Sequence, residues 1–383
     1  MSDTIYLDHN ATTPLLPEVA DAIREASLRF GANPASQHRA GQAARRTLEN
    51  ARQRIAELLG ARTTGLDADR LIFTSGGTEA NNLALLGMLE SLPPGHLITS
   101  EIEHPAVLGP VEKLETSGWR ISRVGADSNG VVKLDELRDA FCPETRLVSI
   151  MAANNETGVL QPIDEIAEVC QLQGVAFHTD AAQLAGKLPV QFSQRNLTAL
   201  SCAAHKFHGP VGIGALLVQQ SVQITPKLWG GHQQAGLRPG TEMVALAVGM
   251  QIALETWHSN YEANVKQMQG FQTRLEEQIL TAIPSATVIG KAAPRLPNTS
   301  TIAFPGVDRQ AFFLALDQAA VACSTGSACA SGSSEPSPVL VAMGLQKELV
   351  ESALRLSWGA TTEAAEIDEA CRRIIMAYNH LRH

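Results

Sequence analysis

The chain is predicted to adopt an α/β fold in which a mostly parallel sheet is covered by helices and joined to a smaller α+β unit. Short apolar runs alternate with segments of helical periodicity, and this alternation is typical of βαβ units. The runs lie at residues 71–73, 97–99, 147–150, 175–177 and 214–218. Because strands this apolar belong to sheets buried on both faces, we expect helices on each side of the sheet.

Helical periodicity marks residues 17–30 and 43–59, and Gly60 ends the second segment. The pattern changes after about residue 255. We therefore expect a large domain over residues 15–255, and a small domain formed by residues 1–14 together with 256–383. Within the small domain, the sequence predicts helices at 260–283, 308–322 and 362–380 and strands at 285–289, 299–304 and 353–357.

The composition of the 383 residues excludes several classes of protein. Thirty Lys+Arg against 39 Asp+Glu give a net charge of −9, and no basic block is present, which argues against a nucleic-acid partner. No apolar run approaches the roughly 18 residues that span a bilayer. The first residues lack the features of a signal peptide, and six cysteines are too few for a disulfide scaffold, so a cytoplasmic location is expected.

Polar motifs follow several of the predicted strands, where ligands of α/β proteins bind. After residues 71–73 comes Thr74-Ser75-Gly76-Gly77-Thr78, running into an apolar helix. The glycines and the helix N-terminus can cradle a phosphate, although an ordinary capped turn has the same pattern. Asp180 follows the strand at 175–177, where it either meets a cation or caps a helix at 181–187.

Lys206 lies among small and apolar residues, so its amine is either desolvated and suited to imine chemistry or extends to the surface. Together with Asp180 for a pyridinium nitrogen and the Gly77–Thr78 cradle, it matches the contributions that proteins make to pyridoxal-phosphate chemistry. His104 has two interpretations, as a ring-stacking or proton-shuttling residue and as an exposed loop residue.

A second centre is the segment 323–336, which is rich in small residues and predicts a mobile loop carrying Cys329 as a nucleophile. A disulfide between Cys323 and Cys329 is the alternative. The remaining cysteines lack the paired spacing of a zinc site, and we expect them to be packing residues and no metal to be bound. They are Cys142, Cys170, Cys202 and Cys371.

Taken together, the motifs resemble those of the cysteine desulfurases, which are class-V aminotransferase-like pyridoxal-phosphate enzymes of fold type I. The likeness covers nearly the whole chain, and the long Ser-Thr-Gly-Ser-Ala-Cys segment is similar to that of the housekeeping and nitrogen-fixation group. It is carried by residues 6–14, 31–38, 74–82, 154–158, 178–183, 205–210, 236–242, 323–336 and 361–363.

The resemblance implies a role for each matching residue. Lys206 would hold the cofactor and move the proton at Cα, His104 would stack on the ring, and Cys329 would take sulfur from L-cysteine as a persulfide, leaving L-alanine. Asn155 and Arg355 would bind the substrate carboxylate. The other cofactor-binding residues would be Gly77, Thr78, Asn155, Asp180 at the pyridine nitrogen, Gln183 at the phenolic oxygen, Ala203, His205, and Thr241 from a partner subunit.

The resemblance also implies a homodimeric sulfurtransferase that passes sulfur to an acceptor protein for iron–sulfur cluster assembly or tRNA thiolation. It leaves open whether Cys329 also ligates a cluster transiently. Three positions depart from the family pattern: Ala203 and Pro239 replace the usual serines, and Pro338 replaces the usual His or Tyr. Two alternatives remain, namely a C–S or selenocysteine lyase that does not need Cys329, and a non-catalytic scaffold-docking or regulatory relative.

Overall fold

The computed structural model describes residues 4–326 and 335–382. In chain order its strands are β1 (Ile5–Tyr6), β2 (Arg70–Thr74), β3 (His96–Ser100), β4 (Arg120–Val124), β5 (Thr145–Ser149), β6 (Ala176–Asp180), β7 (Ala199–Ala203), β8 (Gly214–Val218), β9 (Thr287–Val288), β10 (Thr299–Ala303), β11 (Val321–Ala322) and β12 (Ala353–Ser357). The α-helices are α1 (Pro17–Arg29), α2 (Arg39–Leu58), α3 (Gly77–Leu89), α4 (Pro105–Thr116), α5 (Leu134–Ala140), α6 (Ile163–Gln173), α7 (Val244–Ser259), α8 (Tyr261–Ala282), α9 (Arg309–Gln318), α10 (Pro338–Ala342), α11 (Lys347–Val350) and α12 (Ala364–Arg382).

The central sheet has seven strands in the spatial order β2-β8-β7-β6-β5-β3-β4. All neighbouring pairs are parallel except those of β8, which runs antiparallel to both β2 and β7. Every residue of β3, β7 and β8 is buried, as expected for strands covered on both faces. The predicted α/β fold with a mostly parallel sheet is therefore confirmed.

Two strands of this sheet are missing from the sequence prediction. At the sheet edge, β4 carries the half-exposed and exposed residues Arg120, Ser122 and Arg123, so it has no apolar run. The small residues of β7 likewise lack the β-branched and aromatic side chains that mark a strand. Burial in the centre of the sheet makes β7 a strand despite its weak propensity.

A second, smaller sheet is antiparallel, in the order β12-β10-β9, and β1 pairs separately with β11. Helices α8, α9 and α12 contribute to its apolar core, in which Phe304, Phe312 and Tyr378 are in ring contact. The fully buried Trp358 donates its indole N–H toward the carbonyls of Met268 and Pro297, each at 3.2 Å.

Three boundaries in this region differ from the sequence prediction. The strand expected at 285–289 is only β9, the helix expected at 308–322 ends at Gln318, and the terminal helix runs to Arg382. Ala320 has φ +56, so the chain leaves the helical conformation just before β11 begins.

The division into a large and a small domain at residue 255 stays a prediction. Residues Ala247 and Met250 of α7 belong to the core beneath the seven-stranded sheet, whereas Phe271 and Leu275 of α8 belong to the second core. The first core also includes Leu340 and other residues late in the chain. Among the described residues, no helix is long and apolar enough to cross a membrane.

Candidate active site

A cavity of about 260 Å³ opens beside the carboxyl ends of β6 and β7 and the N-terminus of α3. The sequence analysis predicts twelve site residues, and nine of them line this cavity. They are Gly77, Thr78, His104, Asn155, Asp180, Gln183, Ala203, His205 and Lys206. The convergence follows from topology, because residues that come directly after parallel strands meet at one edge of the sheet.

The start of α3 lies at the cavity, where the sequence predicts an anion cradle. Gly76 is extended, and the helix begins at Gly77, so the amides of its first turn, including those of Gly77 and Thr78, have no acceptor within the helix. A Cβ on Gly77 would lie 3.5 Å from Cβ of Ala203, which places this turn against the end of β7. Glu79 pairs with Arg238 at 2.9 Å, so its charge is compensated beside the cradle.

Asp180 is a buried carboxylate at the end of β6. Its Oδ2 accepts from Nδ2 of Asn81 at 2.6 Å, and its Oδ1 accepts from the amide of Ala182 at 2.9 Å. The alternative of a capping Asp is thus partly correct, although residues 182–187 form turns and no α-helix. Asn81, on α3, is a neighbour that the sequence does not single out, and its Oδ1 is buried without a hydrogen-bond partner.

Lys206 ends a short 3₁₀ turn, Ala204–Lys206, that follows β7. Its Nζ donates to the carbonyl of Asn10 at 2.6 Å and to that of Ala11 at 2.9 Å. The half-buried side chain thus directs its amine to the cavity, which favours the desolvated interpretation. Asn10 is a second neighbour missed in the sequence. It is 1% exposed, and its side chain bonds Thr299 and Asn298, which ties the site to β10.

Two histidines border the cavity in fixed orientations. Burial, followed by the charges of Lys206 and Lys187, lowers the pKa of His205 to about 4, so this imidazole is neutral at pH 7. His104 caps α4, where its Nδ1 accepts from the amide of Ala106 at 3.0 Å. A neutral His104 therefore carries its proton on Nε2.

Glu103 is a third missed residue, buried directly before His104. Its Oε1 accepts from Oγ of Ser100 at 2.6 Å and from the amide of Met151 at 2.9 Å, while Oε2 is buried without a partner. Burial, outweighing these two hydrogen bonds, raises the pKa of Glu103 to about 8. The carboxyl group is therefore protonated and uncharged at neutral pH.

The variant Glu103→Gln should gain stability relative to the wild type as the pH rises from 5 to 8. In that range the unfolded chain, with a pKa near 4.5, releases the Glu103 proton, while the folded protein retains it until the pH passes its own pKa of about 8. Wild-type stability should fall by up to about 1.4 kcal/mol per pH unit from this group, and glutamine removes that loss. Urea unfolding at several pH values measures the difference.

Glu277→Gln, at an exposed position of α8, is the matched control and should show no such trend. A stability difference between Glu103→Gln and the wild type that stays constant from pH 5 to 8 would contradict the protonated state.

Arg355 lies on β12 behind the cavity and does not line it. Its Nη2 bonds Oδ1 of Asp8 at 2.7 Å, its Nη1 donates to the carbonyl of Asn155 at 2.9 Å, and its Nε has no partner. The backbone of Arg355 pairs with that of Ser324. The guanidinium is therefore beside both Asn155 and the base of the segment that carries Cys329, with its Nε–H unpaired.

Cys329 lies outside the described residues. The start of its segment differs from the expected loop, because Cys323 is 8% and Ser324 is 4% exposed, packed beside Arg355. Burial, and then the charge of Asp8, raises the pKa of Cys323 to about 12, so this thiol is not a nucleophile at neutral pH.

Glu156 lies between the two described ends of that segment. Its Oε2 accepts from Oγ of Ser337 at 2.5 Å, and a Cβ on Gly326 would lie only 2.7 Å from the same atom. Burial raises the pKa of Glu156, against the hydrogen bond from Ser337. A single buried carboxyl group thus contacts both ends of the segment.

Thr241 is exposed and does not line the cavity of its own chain. Of the cysteines expected to be packing residues, Cys170, Cys202 and Cys371 are buried, while Cys142 is only half-buried and lies 3.4 Å from His96. Among the described residues, no cluster of His, Cys, Asp and Glu side chains has a metal-binding arrangement.

Comparison with known proteins gives one consistent result. The family described as aminotransferase class-V matches residues 5–369. A cysteine desulfurase of Nostoc sp. is 41% identical over 365 residues, covering 95% of this chain and 90% of that protein. A solved "NIFS-LIKE PROTEIN" is 31% identical with a TM-score of 0.90, covering 99% and 100% of the two chains. The structure titled "SspA in complex with cysteine" is 32% identical with a TM-score of 0.82, covering 93% and 99%.

Proposed function

Since the chain belongs to the class-V aminotransferase family and is a cysteine desulfurase that depends on pyridoxal 5′-phosphate, we propose that it converts L-cysteine to L-alanine with Cys329 as the sulfur acceptor. The observation that carries the proposal is the cavity itself. It brings the amine of Lys206, the carboxylate of Asp180 and the first turn of α3 together. These are the groups that a protein contributes to pyridoxal-phosphate chemistry.

The residues of the cavity fit this cofactor. The free amides of Gly77 and Thr78, with neutral His205, would hold the phosphate, and Asp180 would hold the protonated pyridine nitrogen. Oδ1 of Asn81 is buried and accepts no hydrogen bond, which is consistent with a polar ligand binding beside it. Ala203 offers no hydroxyl where relatives have one, which should cost about 1 kcal/mol of cofactor affinity.

When bound, pyridoxal 5′-phosphate supplies an electron sink for the charge that develops at the substrate Cα. Lys206 would attach to it and later move the Cα proton, for which its amine must leave the carbonyls of Asn10 and Ala11. His104, held by its cap hydrogen bond, would pack against the ring. Asn155 would hold the substrate carboxylate from the cavity wall, and Arg355, which lies behind that wall, would turn from Asp8 toward the cavity to join it.

In the sulfur-transfer step, the thiolate of Cys329 would attack the sulfur of the substrate. A bond forms between the two sulfurs, and the bond between sulfur and Cβ breaks, leaving its electron pair with the carbon fragment. That fragment takes up a proton at Cβ and leaves as alanine. Cysteine and the enzyme thiol thus become alanine and an enzyme persulfide, and no external oxidant or reductant is needed for the balance.

Mass spectrometry of the protein after a single turnover with L-cysteine tests this step. We expect a gain of one sulfur atom on the peptide that contains Cys329, and its loss on adding a reducing thiol. Cys142→Ser, which removes a half-buried thiol at the opposite edge of the sheet, should leave the modification unchanged. Turnover to alanine with no sulfur added to Cys329 would favour a lyase.

The proposal includes a homodimer in which Thr241 completes the partner's phosphate site. Its support is that Thr241 is exposed and follows a segment with two exposed apolar residues, Leu228 and Trp229, the latter 89% exposed. Large apolar side chains in such positions favour a covering partner. Light scattering should give twice the chain mass of 40.9 kDa, and a monomer that binds the cofactor normally would contradict this part.

The proposal also places the enzyme in the cytoplasm, delivering sulfur to an acceptor protein for iron–sulfur cluster assembly or tRNA thiolation. Its support is chemical: a persulfide is reactive toward thiols and is passed on in a reducing compartment, and the five cysteines among the described residues are all free.

A further inference from the structure

A second buried lysine, Lys187, lies beside the cavity and has no part in the proposed chemistry. Its side chain is 4% exposed, and its Nζ donates to Oε1 of Gln183 at 2.6 Å. Within residues 4–326 and 335–382 it makes no ion pair with a carboxylate. Burial, and then the charges of Lys206 and Arg355, hold the pKa of Lys187 well below its ordinary value. A buried amine with one acceptor is costly, and an apolar residue would avoid that cost.

The acceptor of this lysine is a residue of the cavity. Gln183 is held at both ends of its planar amide, with Oε1 accepting from Lys187 and Nε2 donating to the carbonyl of Asn10 at 3.0 Å. The same carbonyl accepts from Nζ of Lys206. A continuous chain of hydrogen bonds therefore runs from Lys187 through Gln183 and Asn10 to Lys206.

The backbone holds Lys187 close to this chain. Gly186 has φ +69, and a Cβ at that position would lie 2.1 Å from Cβ of Phe207, the residue after Lys206. Only glycine permits this approach, so the turn that carries Lys187 packs directly on the turn that carries Lys206.

We propose that Lys187 is a positioning residue that fixes the amide of Gln183, so that its second N–H points into the cavity at the phenolic oxygen of the cofactor. This inference rests on the proposed function, since that oxygen is the group that Gln183 would meet. Two hydrogen bonds at opposite ends fix the plane of the amide, whereas one would leave it free to rotate. Because Nζ of Lys187 donates to the oxygen of Gln183, the nitrogen of that amide is left for the carbonyl of Asn10 and for the cavity.

The ionisable groups around Lys187 are mostly basic. For the buried His9 and His208 and the half-buried His205, burial lowers the pKa most, and the charge of Lys187 lowers it further. Lys206 and Arg355 complete the set, and the charge of Arg355 is paired with that of Asp8. In the described part of the chain, no carboxylate therefore competes with Gln183 for the amine.

Lys187→Met and Gln183→Leu, alone and combined, test this inference on the protein without substrate. We expect Lys187→Met to weaken the binding of pyridoxal 5′-phosphate about five-fold, the usual effect of one hydrogen bond. The pH midpoint of the bound cofactor's visible absorption band should rise, because the phenolic oxygen loses a fixed donor. Unfolding of the apoprotein in urea should show no loss of stability, since an apolar side chain replaces a buried amine.

In the Gln183→Leu background, Lys187→Met should lose most of its effect on binding and on the absorption midpoint. Equal effects in both backgrounds, or normal binding and an unchanged midpoint in Lys187→Met, would overturn the inference while the proposed function stands. A wild-type protein that takes up no cofactor would overturn both. A loss of apoprotein stability equal to the loss of binding would show a structural role instead.

Discussion

Lys206→Ala should abolish alanine formation from L-cysteine, with a loss of at least about 10³-fold. Among the described residues, Lys206 supplies the only amine that lines the cavity, and the carbonyls of Asn10 and Ala11 hold it. Alanine leaves the carbonyl of Ala11 without this donor, while the carbonyl of Asn10 keeps the one from Gln183. It also removes both the attachment point of the cofactor and the group that moves the Cα proton. Steady-state alanine release, measured with saturating pyridoxal 5′-phosphate, gives the effect.

Lys206→Arg is the matched control, because it keeps a positive charge near the same carbonyls and cannot form an imine. It should be as inactive as Lys206→Ala, while its apoprotein should unfold closer to the wild type. Substantial activity in Lys206→Arg would mean that the charge of Lys206 matters and its covalent chemistry does not.

Asp180→Ala should be the second most damaging change, lowering kcat by about 10²- to 10³-fold and weakening cofactor binding. The carboxylate is buried and fixed by Asn81 and by the amide of Ala182, so it needs no reorganisation to meet a cation. Without it, the pyridine nitrogen would lose its proton, and with it the capacity to accept charge from Cα. Absorption titration with the cofactor and steady-state kinetics separate the two effects.

Asn81→Ala provides the comparison, since it removes one hydrogen bond to Asp180 and keeps the carboxylate. We expect a loss of about five-fold. If Asp180→Ala were no worse than Asn81→Ala, the carboxylate would be a cap of the 182–187 turn and would have no role at the cofactor.

The sequence predicts the residues that follow strands, and it misses those that are joined across long separations. Asp180 follows a predicted apolar run, so topology places it at the carboxyl edge of the sheet. Lys206 is found from its small and apolar neighbours, because the strand before it, β7, is not predicted. Asn81 meets Asp180 across 99 positions, and Glu103 meets Met151 across 48, so no local pattern marks either contact. Lys187 is missed for a different reason: its contact with Gln183 is local, but a lysine in a turn has the pattern of a surface residue.

The departures in the fold have equally local causes. The exposed arginines of β4 interrupt the apolar pattern by which the sequence would predict this edge strand. The left-handed conformation of Ala320 makes α9 end earlier than predicted. The segment that begins at Cys323 is composed of small residues typical of a loop, yet pairing of Ser324 with Arg355 buries its start. That pairing depends on β12, more than 25 residues later in the chain, and lies beyond what composition can indicate. The place of Thr241 stays a prediction, because it depends on a second subunit.

Alanine and sulfide released from L-cysteine with a reductant, measured for the wild type, Cys329→Ala and Cys142→Ser, test the central claim most directly. We expect equal amounts of both products from the wild type and from Cys142→Ser, and neither product from Cys329→Ala. Products that survive in Cys329→Ala would contradict sulfur transfer through that thiol and identify a lyase. The absence of alanine from the wild type would contradict the desulfurase function itself.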